Sequence, residues 1–112
     1  MPTIFYHNPK CSKSRETLKL LQEKQIPFET YEYQKQGLSS EQIKNLMQRI
    51  DVPIAELVRA KDLGKHSYDL NDSQTIEKLL LENPKLLARP IVDTGSIAIQ
   101  TRPPEKVLRL LK

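Results

Sequence analysis

The first 33 residues constrain the fold more than any other part of the chain. "TIFY" at 3–6 is rich in β-branched and aromatic residues and is stopped by His7-Asn8-Pro9, so it reads as a short strand running into a turn. From Ser12 to about Lys24, Leu18, Leu20 and Leu21 sit among good helix formers, which predicts an amphipathic helix with Cys11 or Ser12 at its N-cap. "PFETYEY" at 27–33 alternates Phe28, Thr30 and Glu32 against Tyr31 and Tyr33 and reads as a second strand. Strand, helix and strand in about 30 residues make a βαβ unit, and a crossover of that kind favours a parallel pair.

The middle of the chain changes period. Ser39-Ser40-Glu41 opens a helical stretch carrying Ile43, Leu46, Met47 and Ile50, and Pro53 begins a shorter one with Ile54, Leu57 and Val58. A third takes Asp72 or Ser73 as its cap, presents Ile76, Leu79 and Leu80, and stops near Asn83-Pro84. Then "PIVD" (90–93), a Thr94-Gly95 hairpin turn and the alternating "SIAIQ" (96–100) predict two more strands. Prolines 103 and 104 suit the first turn of a closing helix with Val107, Leu108 and Leu111 inward. The order resembles the thioredoxin plan. The expected fold is α/β, one thioredoxin-like domain over 1–112 with a four-stranded mixed sheet and a helical insert at about 39–87 between the βαβ and ββα halves.

Composition excludes several classes of function. At 112 residues, with 38% hydrophobic and 29% charged residues, the chain has the balance of a globular domain. No apolar run nears the roughly 20 residues needed to cross a bilayer, and the N-terminus lacks signal-peptide order, so a cytoplasmic protein without membrane contact is expected. The net charge of +4 comes from cations scattered among 14 acids without a polybasic block, which does not predict a nucleic-acid partner. Cys11 is the single cysteine and can form no internal disulfide. His7 and His66 lack ligand spacing, and no structural metal or tightly bound cofactor is expected.

What one sulfur can do depends on its surroundings. In an α/β sheet, ligands gather where a strand's carboxyl end meets the following helix start, and Cys11 falls there. Lowering a thiol pKa from about 8.5 by about two units takes about 2.7 kcal/mol of preferential thiolate stabilisation. A helix N-terminus supplies about 0.3–2 kcal/mol of it. Lys10, Lys13 and Arg15 add cations, Arg15 one helical turn from the sulfur with Ser14 beside it, and His7 can add a hydrogen bond. A small buried hydrophobe is the other role open to a lone cysteine. Position 14 is Ser, so a Cys-x-x-Cys cycle cannot close, and position 17 is Thr, which excludes a Cys-x5-Arg phosphatase loop. A nucleophile whose adduct is resolved by an external thiol remains.

"YHNPKCSKSRETL" resembles the active-site segment of the glutaredoxin-coupled arsenate reductase family. "ELVRAKD" around Arg59, "LLARPIV" around Arg89 and "TRPPEKVL" around Arg102 agree with it in order. The resemblance, to the family's short forms, implies that Cys11, His7 and Arg59 carry the chemistry. It implies that Arg59, Arg89 and Arg102 hold a tetrahedral oxyanion, with Ser14 and Arg15 stabilising the thiolate. It further implies arsenate as substrate, glutathione with glutaredoxin as external reductant, and a monomer. Independently, arginine forks stay charged and donate bidentate bonds to oxyanions. A related branch of the same fold binds RNA polymerase as a redox-responsive regulator and carries a Cys-x-x-Cys switch; the missing second cysteine argues against an internal redox switch here, and polymerase binding, or an oxyanion-binding thiol protein with another substrate, stays the alternative reading. Monothiol glutaredoxins share Cys-x-x-Ser but not the arginine set.

Overall fold

The computed structural model describes residues 3–59, 63, 68–88, 90–101 and 103–111. Its elements are β1 (Ile4–Tyr6), α1 (Ser12–Glu23), β2 (Glu29–Tyr31), α2 (Tyr33–Gln36), α3 (Ser40–Arg49) and a 3₁₀ turn (Ile54–Leu57). They continue with α4 (Ser73–Glu82), a second 3₁₀ turn (Pro84–Leu86), β3 (Ile91–Asp93), β4 (Ala98–Gln100) and a closing 3₁₀ helix (Pro104–Leu111). The sheet order is β2-β1-β3-β4, with β1 parallel to β2, antiparallel to β3, and β3 antiparallel to β4. The fold is therefore α/β with a four-stranded mixed sheet, its βαβ and ββα halves separated by the helices of the insert.

The two-residue period of the strands divides the core in two. Phe5 and Val92 face one side of the sheet with Leu21 of α1 and Val107 of the closing helix. Tyr6, Ile91 and Ala98 face the other, under Ile43 and Leu46 of α3, Leu57, and Ile76 and Leu80 of α4. Helix starts are fixed locally. Ser39 and Gln42 form a reciprocal capping box, with Gln42 N–H donating to Ser39 Oγ at 3.1 Å and Ser39 N–H to Gln42 Oε1 at 2.8 Å. Asp72 caps α4, accepting from Gln74 N–H at 3.3 Å and Thr75 Oγ1 at 2.8 Å.

Three sequence readings need correction. The second strand is only Glu29–Tyr31, because Tyr33 is fully buried and opens α2, and Gly37 at φ 77° turns the chain back. The Tyr31 hydroxyl secures that return by donating to the Gly37 carbonyl at 2.5 Å. The hairpin turn is centred on Gly95-Ser96, one residue later than read: Thr94 N–H donates to Ile97 O at 2.9 Å, and Gly95 takes the left-handed position at φ 94°. Finally, "SIAIQ" does not alternate in burial. Ala98, Ile99 and Gln100 are all buried because helices cover both faces of β4.

The outer edge of β4 is also covered. Ile50 bridges to Ala98 in parallel, and Asp51 N–H donates to Ala98 O at 2.9 Å. The Asp51 carboxylate then accepts from Gln100 N–H at 3.1 Å, Lys106 Nζ at 3.2 Å and Arg109 Nη1 at 2.7 Å. One side chain thereby joins the end of α3, the edge strand and the closing helix. Beside it, Arg49 contacts the buried Asp93 at 3.1 Å and donates to Gly95 O at 2.8 Å, holding the hairpin turn onto α3.

Candidate active site

The loop from β1 to α1 is built by its own short-range bonds. His7 N–H donates to Tyr31 O at 3.0 Å, extending the parallel pairing one residue beyond β1. Asn8 then folds the chain twice: its side-chain carbonyl accepts Lys10 N–H at 3.1 Å and its backbone carbonyl accepts Cys11 N–H at 3.0 Å. Arg15 reaches back from the helix to donate to Pro9 O at 3.2 Å. Cys11 stands at the N-cap of α1 with φ −95° and ψ 124°, half-buried, and its carbonyl accepts the first helical bond from Arg15 N–H at 3.0 Å. The first turn of α1 contains no acid, so no carboxylate of that turn opposes the dipole end at this residue.

Behind the loop lies a buried polar pair. His7 is 6% exposed and Ser14 is fully buried. His7 Nδ1 and Ser14 Oγ are 2.7 Å apart, while Ser14 Oγ accepts Asn8 N–H at 3.0 Å. In the neutral ring with its proton on Nε2, Ser14 donates to Nδ1. The ring also stacks on Phe5 at 4.9 Å. Burial holds His7 below the usual histidine pKa, against a smaller upward pull from Glu32. A depressed folded value makes the His7 contribution to stability complete above about 6.5, the unfolded value, and lost as pH falls through the folded one. We expect a nitrogen-15 titration to find the His7 ring neutral at pH 7 with a midpoint below 6.5. A midpoint above 6.5 would show that the burial argument is wrong.

Of the three arginines, Arg59 falls within the described residues. Val58 bridges to Leu87, Arg59 N–H donates to Leu86 O at 2.8 Å, and Ala88 N–H donates to Leu57 O at 2.7 Å. Residues 57–59 are thus paired with 86–88, which sets half-buried Arg59 beside the approach to β3. Arg89 and Arg102 lie outside the described residues, as does His66, but their chain neighbours are informative. Thr101 N–H donates to Pro90 O at 3.0 Å, so the residue before Arg102 is tied to the residue after Arg89. The fully buried Thr101 and Thr17 hydroxyls are 3.0 Å apart, which fastens that junction to α1. Sequence reasoning missed Thr17 and Thr101, because nothing in either residue's neighbourhood signals a partner 84 positions away.

The structure thus brings Cys11, His7, Ser14 and Arg15 into one loop and helix turn. Ser14 bonds to His7 and Asn8, and Arg15 to the Pro9 carbonyl. Among the described residues no group of three or more His, Cys, Asp or Glu side chains could hold a metal ion. Nor is any described helix long and apolar enough to cross a membrane.

A cysteine at the first helix start of a thioredoxin-like sheet, after an Asn-Pro turn, defines a thiol-site α/β protein. The chain belongs to the ArsC family, whose pattern matches residues 6–110. It is 39% identical to the uncharacterized protein YfgD of Escherichia coli (strain K12), over 96% of this chain and 94% of that one. It is 36% identical to an arsenate reductase of Haemophilus influenzae, over 99% and 100% of the two chains. A solved arsenate reductase from Vibrio cholerae superposes with a TM-score of 0.83 at 36% identity, covering 97% of each chain.

Proposed function

We propose that this protein reduces arsenate to arsenite, with Cys11 as the nucleophile and an external thiol as the second reductant. Cys11 at the acid-free N-cap of α1 is the observation that carries the reading. The relatives named arsenate reductase, which match almost end to end, support the choice of oxyanion. The Cys11 thiolate displaces one arsenate oxygen, which leaves as water after taking up protons, and a sulfur–arsenic(V) bond forms. A second thiolate attacks the Cys11 sulfur. The new S–S bond forms as the S–As bond breaks, its electron pair stays on arsenic, and arsenite departs. Two thiols have then lost one electron each and arsenic has gained two.

Arg59, Arg89 and Arg102 hold the oxyanion and offset its charge. His7, fixed by Ser14 and Phe5, braces the loop that carries the nucleophile, and Arg15 keeps that loop closed. Glutathione supplies the second thiol, and glutaredoxin recycles the mixed disulfide. Phosphate has the same shape and charge as arsenate but does not accept the electron pair, so it is expected to compete without reacting. The test is NADPH consumption in the presence of glutathione reductase, glutathione and glutaredoxin, with and without arsenate. Arsenate-dependent oxidation that phosphate inhibits competitively is the expected result. A flat trace from folded protein would overturn the proposal.

A further inference from the structure

The buried face of α1 is Ser14, Thr17 and Leu21, spaced three and four apart. Leu21 packs as an apolar residue against Phe5, Val92 and Val107. The turns nearer Cys11 are located by hydrogen bonds instead: Ser14 Oγ accepts Asn8 N–H at 3.0 Å, and the Thr17 and Thr101 hydroxyls are 3.0 Å apart. Thr17 Oγ1 is also 3.0 Å from Lys13 O, and Thr101 Oγ1 is 3.2 Å from Pro90 O. Two hydroxyl protons serve these three contacts, so the run points one way, as Thr101 to Thr17 to Lys13 O or as Thr17 to Thr101 to Pro90 O. Either hydroxyl keeps a carbonyl partner when the other is removed. The contact between them therefore matters chiefly for geometry, because a buried hydrogen bond fixes distance and direction where apolar packing permits sliding.

The sheet register shows what that contact locates. Tyr6, Ile91 and Gln100 stand in one row across β1, β3 and β4. The chain leaves β1 from that row toward Cys11, enters β3 there after Arg89-Pro90, and leaves β4 there toward Thr101-Arg102. The three segments meet at one end of the sheet. The bond from Thr101 N–H to Pro90 O, at 3.0 Å, ties the last two to each other through backbone alone. The Thr17–Thr101 contact is what ties that pair to the helix beginning after Cys11. We propose that Thr17 and Thr101 are positioning residues, whose shared hydroxyl contact sets the Cys11 helix against the two chain segments that lead to Arg89 and Arg102. Both are fully buried, so they act through these neighbours and not on the oxyanion itself. This role rests on the reading of Cys11 as nucleophile and of the arginines as oxyanion ligands.

Thr17→Val and Thr101→Val keep the side-chain shape and delete the hydroxyl, while Thr17→Ser keeps the hydroxyl and deletes the methyl. Each valine variant is expected to lower kcat for arsenate about ten- to a hundredfold, the scale of a misplacement of ångström size. Phosphate binding should stay within about threefold, because the Thr101–Pro90 bond is made by backbone, so the loss falls on kcat and not on affinity. The double valine variant should lose no more than either single one, since each removes the same contact. Thr17→Ser should retain kcat within about threefold although the missing methyl lowers its melting temperature. Thr75→Val, which deletes a hydroxyl bond to Asp72 in α4, is expected to lower the melting temperature and leave kcat unchanged. A second readout needs no turnover: saturating phosphate should slow alkylation of Cys11 by iodoacetamide in wild type and protect it less in the valine variants. Wild-type kcat in folded valine variants, or a kcat that follows melting temperature across the set, would overturn the role while leaving arsenate reduction in place. So would phosphate protection that is equal in all variants or missing from wild type. If phosphate protects wild type and not the valine variants, yet wild type does not reduce arsenate, the role stands and the proposed substrate fails.

Discussion

Cys11→Ser is expected to lower arsenate-dependent NADPH oxidation by about a thousandfold or more, the scale seen when a covalent nucleophile is removed. Serine keeps the size and the N-cap preference of the position, so the α1 start and the Asn8 turn should persist. The side chain is half-buried, and the change should move stability by no more than about 0.5 kcal/mol. Oxyanion binding should survive, because the arginines assigned to it are untouched and a neutral hydroxyl replaces a potential negative charge. Equilibrium binding of phosphate within about threefold of wild type, beside lost turnover, is the expected pair of results. Glutathione-dependent arsenate reduction that persists in the serine variant would remove Cys11 from the reaction.

The largest stability effect is expected at Asp51. Its carboxylate is 6% exposed and accepts three bonds that join α3, β4 and the closing helix. Asp51→Ala leaves the Gln100 N–H without that acceptor on a covered sheet edge. It also strands Lys106 and Arg109, which are 25% and 49% exposed and can turn partly to water. A loss of about 2–4 kcal/mol follows, or a melting temperature lower by about 10 °C or more.

The pH dependence identifies the cause. Burial alone would raise the Asp51 pKa, but the hydrogen bonds from Gln100 and Lys106 and the charges of Lys106 and Arg109 outweigh it and hold it below the ordinary carboxylate value. A depressed carboxylate stabilises the fold fully above the unfolded value of about 3.9 and loses that contribution as pH falls through the folded value. Denaturation of wild type and Asp51→Ala should therefore differ most at neutral pH and converge in acid. A gap that stays constant from pH 7 to pH 3 would show that packing, not charge, is the source.

Much of the site was legible before the fold was known. Asn8-Pro9 after an apolar run requires a turn, and the leucine spacing from 18 to 21 requires a helix that cannot begin before it, so Cys11 had to fall at a strand-to-helix junction. Ser39-Ser40-Glu41 likewise announced the start of α3, and Asp72 or Ser73 that of α4. One error came where a tertiary contact outweighs local pattern, another from local backbone geometry. Tyr33 reads as a strand residue by alternation, yet its burial draws the chain into α2. The turn at Gly95-Ser96 is set by which residue can adopt a positive φ, one position from where the strand pattern placed it.

The sequence by itself determined the order of the four strands, the single cysteine and its place at a helix start, because each follows from the chain itself or from interactions spanning a few residues. Only the tertiary structure decided what surrounds them. The Thr17–Thr101 contact and the Asp51 junction bring together residues 84 and 58 positions apart. Such contacts depend on how two faces of one sheet are covered, and no local propensity encodes that packing.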